Sequence, residues 1–430
     1  MAEADKPMGA SIPSVTAAPT NDDAVSAARP EGAASKIATT KVAAAQNASA
    51  PAMATQSAVS ERGKRSRLSK GQTSLRQLEK QKSLAGDSAP LTTDGYRGRM
   101  GRVMGVRIMG TGSFVPDDVV TNDDLAQLGC DSDWIIRRTG IRQRCHAAAG
   151  ESTGDLAFEA SRRAIAAAGT TPDQIDLVLV ATITPDHITP STACHLQQRL
   201  GILAPAMDLS AASAGFVYAV VTAANFIRAG NARRVLVVGA DLMSRTIDPD
   251  DKKTYPLFGD GAGAVVIGPD DGGESSDRGI CSYQLGSEGD GGQWLCIPTG
   301  GTRQPFTRDN VSHPDRYLRM DGRNVFKWAV RLVDQSTRDV LRHADWPIES
   351  LDHLVLHQAN QRIIDSAVSD LDIDRSRVFV NLDRYGNTSA ASVPLALDEM
   401  TRSGNIQPGQ RIVLCGFGSG LAWATAAIQM

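Results

Sequence analysis

Net charge, paired cysteines and long apolar runs are all scarce in this chain of 430 residues, and each shortage removes a class of function. Lys and Arg total 45 against 48 Asp and Glu, a formal charge of −3, so there is no general case for nucleic acid. The six cysteines (Cys130, Cys145, Cys194, Cys281, Cys296 and Cys415) are scattered without a Cys-x-x-Cys pair. Neither a disulfide framework nor a metal site is indicated, and buried thiols in a reducing cytoplasm are expected. The start, Met-Ala-Glu-Ala-Asp-Lys, lacks the basic-then-apolar pattern of a secretory signal. No run has the length of a membrane span; Ala211–Ile227 comes nearest but carries Ser, Thr, Tyr and Asn. What is present is 41% hydrophobic and 22% charged, the balance of a soluble globular protein with a sizeable core.

Residues 1–103 are a different material from the remainder. Ala, Ser, Thr and Pro dominate, large apolar residues are scarce and no period is visible, so a disordered tail is expected. Arg62, Lys64, Arg65, Arg67, Lys70, Arg76, Lys80 and Lys82 make a basic run within it, read as a solvated tail rather than a nucleic-acid arm. Met104 directly precedes Gly-Val-Arg-Ile-Met-Gly-Thr-Gly-Ser-Phe, a first strand and turn, and would serve as a natural beginning. From Val106 onward strands and helices alternate. Ile175–Thr184 and Arg234–Ala240 are near-continuous β-branched runs, as in strands covered on both faces. Ala160–Gly169 reads as a helix ending at a glycine stop. The alternation predicts a layered α/β domain.

The chain also repeats itself. Pro172-Asp-Gln-Ile-Asp176-Leu-Val-Leu resembles Pro347-Ile-Glu-Ser-Leu-Asp352-His-Leu-Val-Leu, and Arg234-Val-Leu-Val-Val-Gly239 resembles Arg411-Ile-Val-Leu-Cys-Gly416. Two related halves follow, over 104–275 and 276–430, with the site expected between them. In the first half, Asp208-Leu-Ser-Ala-Ala-Ser-Ala-Gly-Phe216 leads into a segment without charge until Arg228, a helix with no solvent face. Ser213 stands at its entrance, where unpaired N–H groups and the positive dipole end stabilise a developing anion. Two readings stay open, a helix cap or a nucleophile with its own oxyanion site. In the second half, His357 ends an apolar strand and Asn387 sits on a glycine turn entering a helix; each alone reads equally well as structural. Gly416-Phe-Gly-Ser-Gly420 adds a turn whose backbone can approach an oxyanion closely.

These segments carry a resemblance. Thr139-Gly-Ile-Arg142, Asp208–Phe216, Phe258-Gly-Asp-Gly-Ala-Gly-Ala264, His357-Gln-Ala-Asn360, Tyr385-Gly-Asn387-Thr-Ser-Ala-Ala-Ser392 and Gly416-Phe417-Gly-Ser-Gly420 are together similar to β-ketoacyl-acyl-carrier-protein synthase III. The resemblance covers Val106–Met430 and implies the thiolase fold, a homodimer and a Cys-His-Asn triad, with His357 and Asn387 on the His and Asn positions. Ser213 occupies the cysteine position. A thiol of pKa about 8.5 ionises readily at a helix N-terminus and an alcohol does not, so Ser213 would need a base, for which His357 is the candidate. Three readings of Ser213 follow: an acyl-serine intermediate, loss of self-acylation, or a replacement of the natural cysteine.

The resemblance also implies a reaction. An acyl-CoA primer acylates residue 213, malonyl-acyl-carrier protein loses carbon dioxide, and the enolate attacks the acyl group to give a 3-oxoacyl product. The N–H groups of residues 213 and Ser419 would hold the oxyanion, His357 and Asn387 the thioester carbonyl, and Phe417 would keep the site dry. Trp134 would stack on the CoA adenine, Lys252 would stand where an arginine usually faces it, and Arg138, Asn360 and Arg362 would line the CoA or carrier-protein path. Thr189, at a position that limits primer length, is compatible with primers longer than acetyl. No resident cofactor or membrane is implied. The alternatives are an acyltransferase using acyl-Ser213 without carbon–carbon bond formation, and an inactive partner subunit.

Overall fold

Runs of β-branched and small apolar residues build two five-stranded sheets with two helices trapped between them. The computed structural model describes residues 98–270, 272 and 276–430, so the basic run of the expected tail lies outside the described residues. The first half of the described chain contains β1 (Gly98–Met104), β2 (Val106–Phe114), β3 (Asp118–Thr121), α1 (Ser132–Thr139), β4 (Gln143–His146), α2 (Thr153–Ala167), β5 (Leu177–Ala181), α3 (Thr192–Arg199), β6 (Ala206–Leu209), α4 (Gly215–Arg228), β7 (Val235–Leu242) and β8 (Asp260–Pro269). The second contains β9 (Gly279–Ser287), β10 (Leu295–Cys296), β11 (Arg319–Met320), α5 (Gly322–His343), β12 (His353–Leu356), α6 (Gln361–Leu371), α7 (Leu382–Tyr385), α8 (Ser392–Arg402), β13 (Arg411–Gly418) and β14 (Ala422–Gln429).

One sheet has the order β2-β8-β7-β5-β6 and the other β1-β9-β14-β13-β12. Four strands recur with the same directions: β2-β8-β7-β5 and β9-β14-β13-β12 each run antiparallel, antiparallel, parallel. Even the strand entries match. Asp176 N donates to Arg234 O at 2.8 Å and Asp352 N to Arg411 O at 2.9 Å, while the Asp176 and Asp352 carboxylates accept the Arg234 and Arg411 N–H groups. In this register Gly239 corresponds to Gly416 and Asp241 to Gly418.

The expected 3.6-residue and continuous apolar patterns place the layers. α2 covers the outer face of the first sheet and α5, with α6 beside it, the outer face of the second. α4 and α8 touch strands of both sheets and form the middle layer. On α4, Phe216, Val217, Val220, Val221, Ala223 and Ala224 are all buried, each large apolar side chain contributing roughly 1.5–3 kcal/mol. The result is the layered αβαβα arrangement that the resemblance implies.

The tail boundary is corrected. Gly98–Met104, expected to be disordered up to residue 103, pairs antiparallel with β9 as the edge of the second sheet, and Met104 closes this strand rather than opening the fold. Backbone pairing forms it: Arg99 and Arg102 face solvent and Val103 alone among its large side chains is buried, so no apolar alternation announced it. β1 precedes the first half in sequence and completes the sheet of the second.

Candidate active site

The site gathers where α4, α8 and the ends of β12 and β13 meet. β6 delivers the chain into a tight turn, Ala212–Ala214, before α4. Ala212 adopts φ 47°, a left-handed conformation that costs an alanine about 1–2 kcal/mol, and this aims the next residue inward. Ser213 is 8% exposed. Its side chain caps nothing; the Oγ donates instead to Ser389 Oγ at 3.3 Å. The capping reading therefore falls.

The second half builds the same turn. Ser389–Ala391 precedes α8, with Ser389 at φ 50° in the place of Ala212 and Ala390 in the place of Ser213. Just upstream, Asn387 N donates to Leu257 O at 2.8 Å and its carbonyl accepts Gly259 N at 3.1 Å, tying it to the Phe258 loop. Its Oδ1 accepts Ser389 N at 2.9 Å, which assigns the amide and leaves Nδ2 without a hydrogen bond among the described residues.

His357 follows β12, and its N–H donates to Cys415 O at 2.8 Å. Its Nδ1 lies 2.6 Å from Ser392 Oγ. That oxygen also accepts Gln358 N at 3.1 Å. The ring stands edge-on to Phe417, centroids 5.2 Å apart. Burial among these groups penalises the imidazolium and pushes the His357 pKa down to about 3. Gly418 completes the floor: a Cβ there would lie 3.1 Å from Ser213 Oγ and 3.0 Å from Ser213 N. Ser213, His357, Asn387 and Phe417 are thus linked through the Ser389–Ser392 turn and the end of β13. His357 does not hydrogen-bond Ser213; Ser213 bonds Ser389 of the second-half turn, and His357 bonds Ser392 at the start of α8.

Ser419 lies just past β13, its hydroxyl bonded to the Leu295 carbonyl. Trp134 is on α1, and the Arg138 guanidinium sits over its ring at 5.0 Å. α1 packs against α6, where the Asn360 side chain accepts Arg362 N at 2.9 Å as a helix cap and Arg362 lies over Phe326 at 5.3 Å. Lys252 is exposed on the Asp248–Lys252 loop. Thr189 is exposed on the rim of a hollow of about 610 Å³, lined also by Ile188, Met207 and Ser210 beside the β5 and β6 ends. Sequence reading passed over Ser389, Ser392 and Asp241. The two serines stood inside a quoted motif, and Asp241 was a charge closing an otherwise apolar strand, a signal available in the sequence.

The model of the 3-oxoacyl-[acyl-carrier-protein] synthase III family matches residues 207–289, and that of its C-terminal region matches residues 341–430. The beta-ketoacyl-[acyl-carrier-protein] synthase III of Rhodopirellula baltica is 61% identical over 344 residues, covering 77% of this chain and 100% of the relative. The crystal structure of the Pseudomonas aeruginosa 3-oxoacyl-(acyl carrier protein) synthase III aligns with TM-score 0.69 and 41% identity, covering 76% of this chain and 98% of that one. The Thermus thermophilus counterpart aligns with TM-score 0.70 and 41% identity over 75% and 98%. Fold and site together define an acyl-transferring condensing enzyme with the thiolase fold. The chain belongs to the 3-oxoacyl-[acyl-carrier-protein] synthase III family.

Proposed function

We propose that the chain condenses an acyl-CoA primer with malonyl-acyl-carrier protein, through an acyl-Ser213 intermediate, to start fatty-acid or specialised acyl synthesis. The observation that supports it best is internal. In the second half Ala390, the counterpart of Ser213, donates its N–H to Asp241 Oδ2 at 3.0 Å. A negative oxygen therefore already rests on one of the two equivalent turns. At the other turn the counterpart of Asp241 is Gly418, so the space against the Ser213 N–H is clear for a substrate oxyanion, with the Ser419 N–H as the second donor. Ser213 stands where the family's cysteine is expected, and the turn geometry argues for a working nucleophile rather than one lost.

His357 acts as a donor. Ser392 is buried, accepts Gln358 N, and its proton has His357 Nδ1 as its acceptor. That places the imidazole proton on Nε2. Nε2–H and Asn387 Nδ2–H then hold the malonyl thioester carbonyl and stabilise the enolate as carbon dioxide leaves, with the Phe417 ring excluding water. The ring stays neutral through the physiological range, so it donates without carrying a charge. Trp134, Arg138, Lys252, Asn360 and Arg362 form the CoA and carrier-protein path, and Thr189 leaves room for a primer longer than acetyl. The chain works as a cytoplasmic homodimer without a resident cofactor. Retention of His357 and Asn387 favours condensation over simple acyl transfer to an alcohol or amine, and over an inactive partner subunit.

The test is intact-protein mass after incubation with acetyl- and octanoyl-CoA. An acyl adduct on Ser213, discharged as a 3-oxoacyl product on addition of malonyl-acyl-carrier protein, is expected. An adduct that malonyl-acyl-carrier protein leaves untouched would reduce the enzyme to a transferase, and a strict acetyl preference would remove the role given to Thr189.

A further inference from the structure

A single hydrogen bond leaves a ring free to tilt about it, and among the described residues the His357 imidazole has one such tie, between Nδ1 and Ser392 Oγ at 2.6 Å. Its second restraint is the Phe417 ring, edge-on with centroids 5.2 Å apart. Phe417 in turn meets Trp328 of α5 at 6.3 Å, with an interplanar angle of 70°. Trp328 also meets Trp423 at 6.5 Å and 67°, and Trp423 is the cross-strand partner of Phe417 on β14. These are the separations and angles of attractive edge-to-face pairs. The far end of the row is fixed. Trp423 Nε1 donates to Gln284 Oε1 at 3.0 Å, and Gln284 Nε2 donates to Asp339 Oδ2 at 3.1 Å, back on α5. The Trp423 ring also lies so close on Gly286 that a Cβ there would overlap it. Trp328, Phe417, Trp423 and His357 are all buried. Trp328 Nε1 makes no hydrogen bond among the described residues, so this residue supplies ring surface and no polar tie. A buried N–H without a partner is a cost that a purely apolar side chain would avoid.

We propose that Trp328 is a positioning residue for the malonyl half-reaction: it holds the Phe417 ring against His357, and so fixes the direction in which His357 Nε2–H points. The inference rests on the condensation reading above. In that step the bond from the malonyl carboxylate to the neighbouring carbon breaks, carbon dioxide leaves, and the electron pair passes to the thioester oxygen held by His357 Nε2–H and Asn387 Nδ2–H. Donors stabilise that oxygen only when aimed at it beforehand. Ser392 pins one ring nitrogen, and Phe417, backed by Trp328, sets the tilt about it. Trp328 touches neither substrate nor reacting atoms; it acts from the outer helix through one intervening ring. Acylation of Ser213 draws on the turn before α4 and its N–H groups, so it does not depend on this row of rings.

The experiment measures the two half-reactions apart: single-turnover acylation by acyl-CoA, read by intact mass, and release of carbon dioxide from malonyl-acyl-carrier protein. Trp328→Leu keeps an apolar filling without an aromatic edge. It is expected to slow carbon dioxide release about 10- to 100-fold, the loss that a misplaced reacting group brings, while acylation stays within about twofold. Trp328→Phe restores the ring contact without the unpaired N–H and is expected to release carbon dioxide within about threefold of the native rate. In a Phe417→Ala background Trp328→Leu is expected to add less than about twofold, because the ring through which Trp328 acts is gone. Trp328→Met, whose long flexible side chain refills the gap, replaces Trp328→Leu should that chain not fold. Equal slowing of both half-reactions, native carbon dioxide release by Trp328→Leu, no recovery in Trp328→Phe, or a further loss of about tenfold in the Phe417→Ala background overturns the inference. If the native chain itself releases no carbon dioxide from malonyl-acyl-carrier protein, the condensation reading has failed, and the inference with it.

Discussion

In the first half Gly239 of β7 is pressed against the Ala390 carbonyl of the opposite turn, and in the second Gly416 of β13 is pressed against Ser213 and Ala214. The same turn, the same left-handed residue and the same buried helix are used twice. Two residues beyond each glycine the halves part. Asp241 fills the space beside Ala390 with a carboxylate held by five hydrogen bonds, whereas Gly418 leaves the space beside Ser213 open. His357 marks the second difference, since its counterpart at the end of β5 is Ala181. One turn is thus closed with fixed charge as a structural tie between the halves. The other is left polar and vacant, which is how a site is made from a duplicated scaffold without new backbone.

The comparison is broken most severely by making the open turn like the closed one. Ser213→Ala gives the first turn the residue found at Ala390. It is expected to remove the acyl adduct and lower condensation by at least about a thousandfold, as loss of a nucleophile does. Stability should change by less than about 1 kcal/mol, because one neutral hydrogen bond is lost. Measured acyl transfer together with urea denaturation checks both. Next in size, His357→Ala restores the Ala181 situation. It should cost malonyl condensation about 100- to 1000-fold, as for a lost oxyanion donor, while the acylation rate stays within a few fold. Comparable loss in both half-reactions would show His357 acting on Ser213 after all.

How far the sequence foretold this depends on what held each element. Continuous apolar runs announced β5, β7 and the buried α4, because strands and helices covered on all sides leave that mark whatever surrounds them. The repeat was visible at Asp176 and Asp352 and at Arg234 and Arg411, the very positions where strand entries are hydrogen-bonded alike. Ser213, His357 and Asn387 were legible by motif, although which serine partners which group is a product of tertiary packing across 176 residues and could not be read locally. β1 was missed for the same reason: an edge strand selected by a neighbour's free backbone needs no pattern of its own. The asymmetry of the strand ends, Asp241 against Gly418, lay in plain sight and acquired meaning only when the two registers were aligned.

Two smaller effects sharpen the contrast between the halves. β1 extends the second sheet antiparallel beyond β9, the counterpart of β2, whereas the first sheet is extended at the opposite edge by the parallel β6. A chain starting at Gly105 should therefore be less stable than one starting at Gly98 by about 2–3 kcal/mol in urea denaturation, from the burial of Val103 and partial burial of Met100. The pH dependence isolates the other asymmetry. His357 accepts a proton in the unfolded chain near pH 6.5 but in the folded one only near 3. Between those values the unfolded state binds the extra proton, so stability falls as pH is lowered through the window, by up to about 1.4 kcal/mol per pH unit. His357→Gln should flatten that slope.

The smallest expected effect asks whether both halves serve the same ligand. Arg138 over Trp134 comes from the first half and Arg362 over Phe326 from the second, on helices α1 and α6 that pack together. Exposed cation–aromatic pairs are worth about 0.5–1 kcal/mol each, which corresponds to roughly a two- to fivefold change in binding. Arg138→Ala and Arg362→Ala should each raise KM for acyl-CoA by that factor with kcat unchanged, since both groups lie away from the reacting atoms. Equal increments would place the CoA path across the junction of the halves. A rise in KM for acyl-CoA with Arg138→Ala alone, and for malonyl-acyl-carrier protein with Arg362→Ala alone, would divide the two substrates between them.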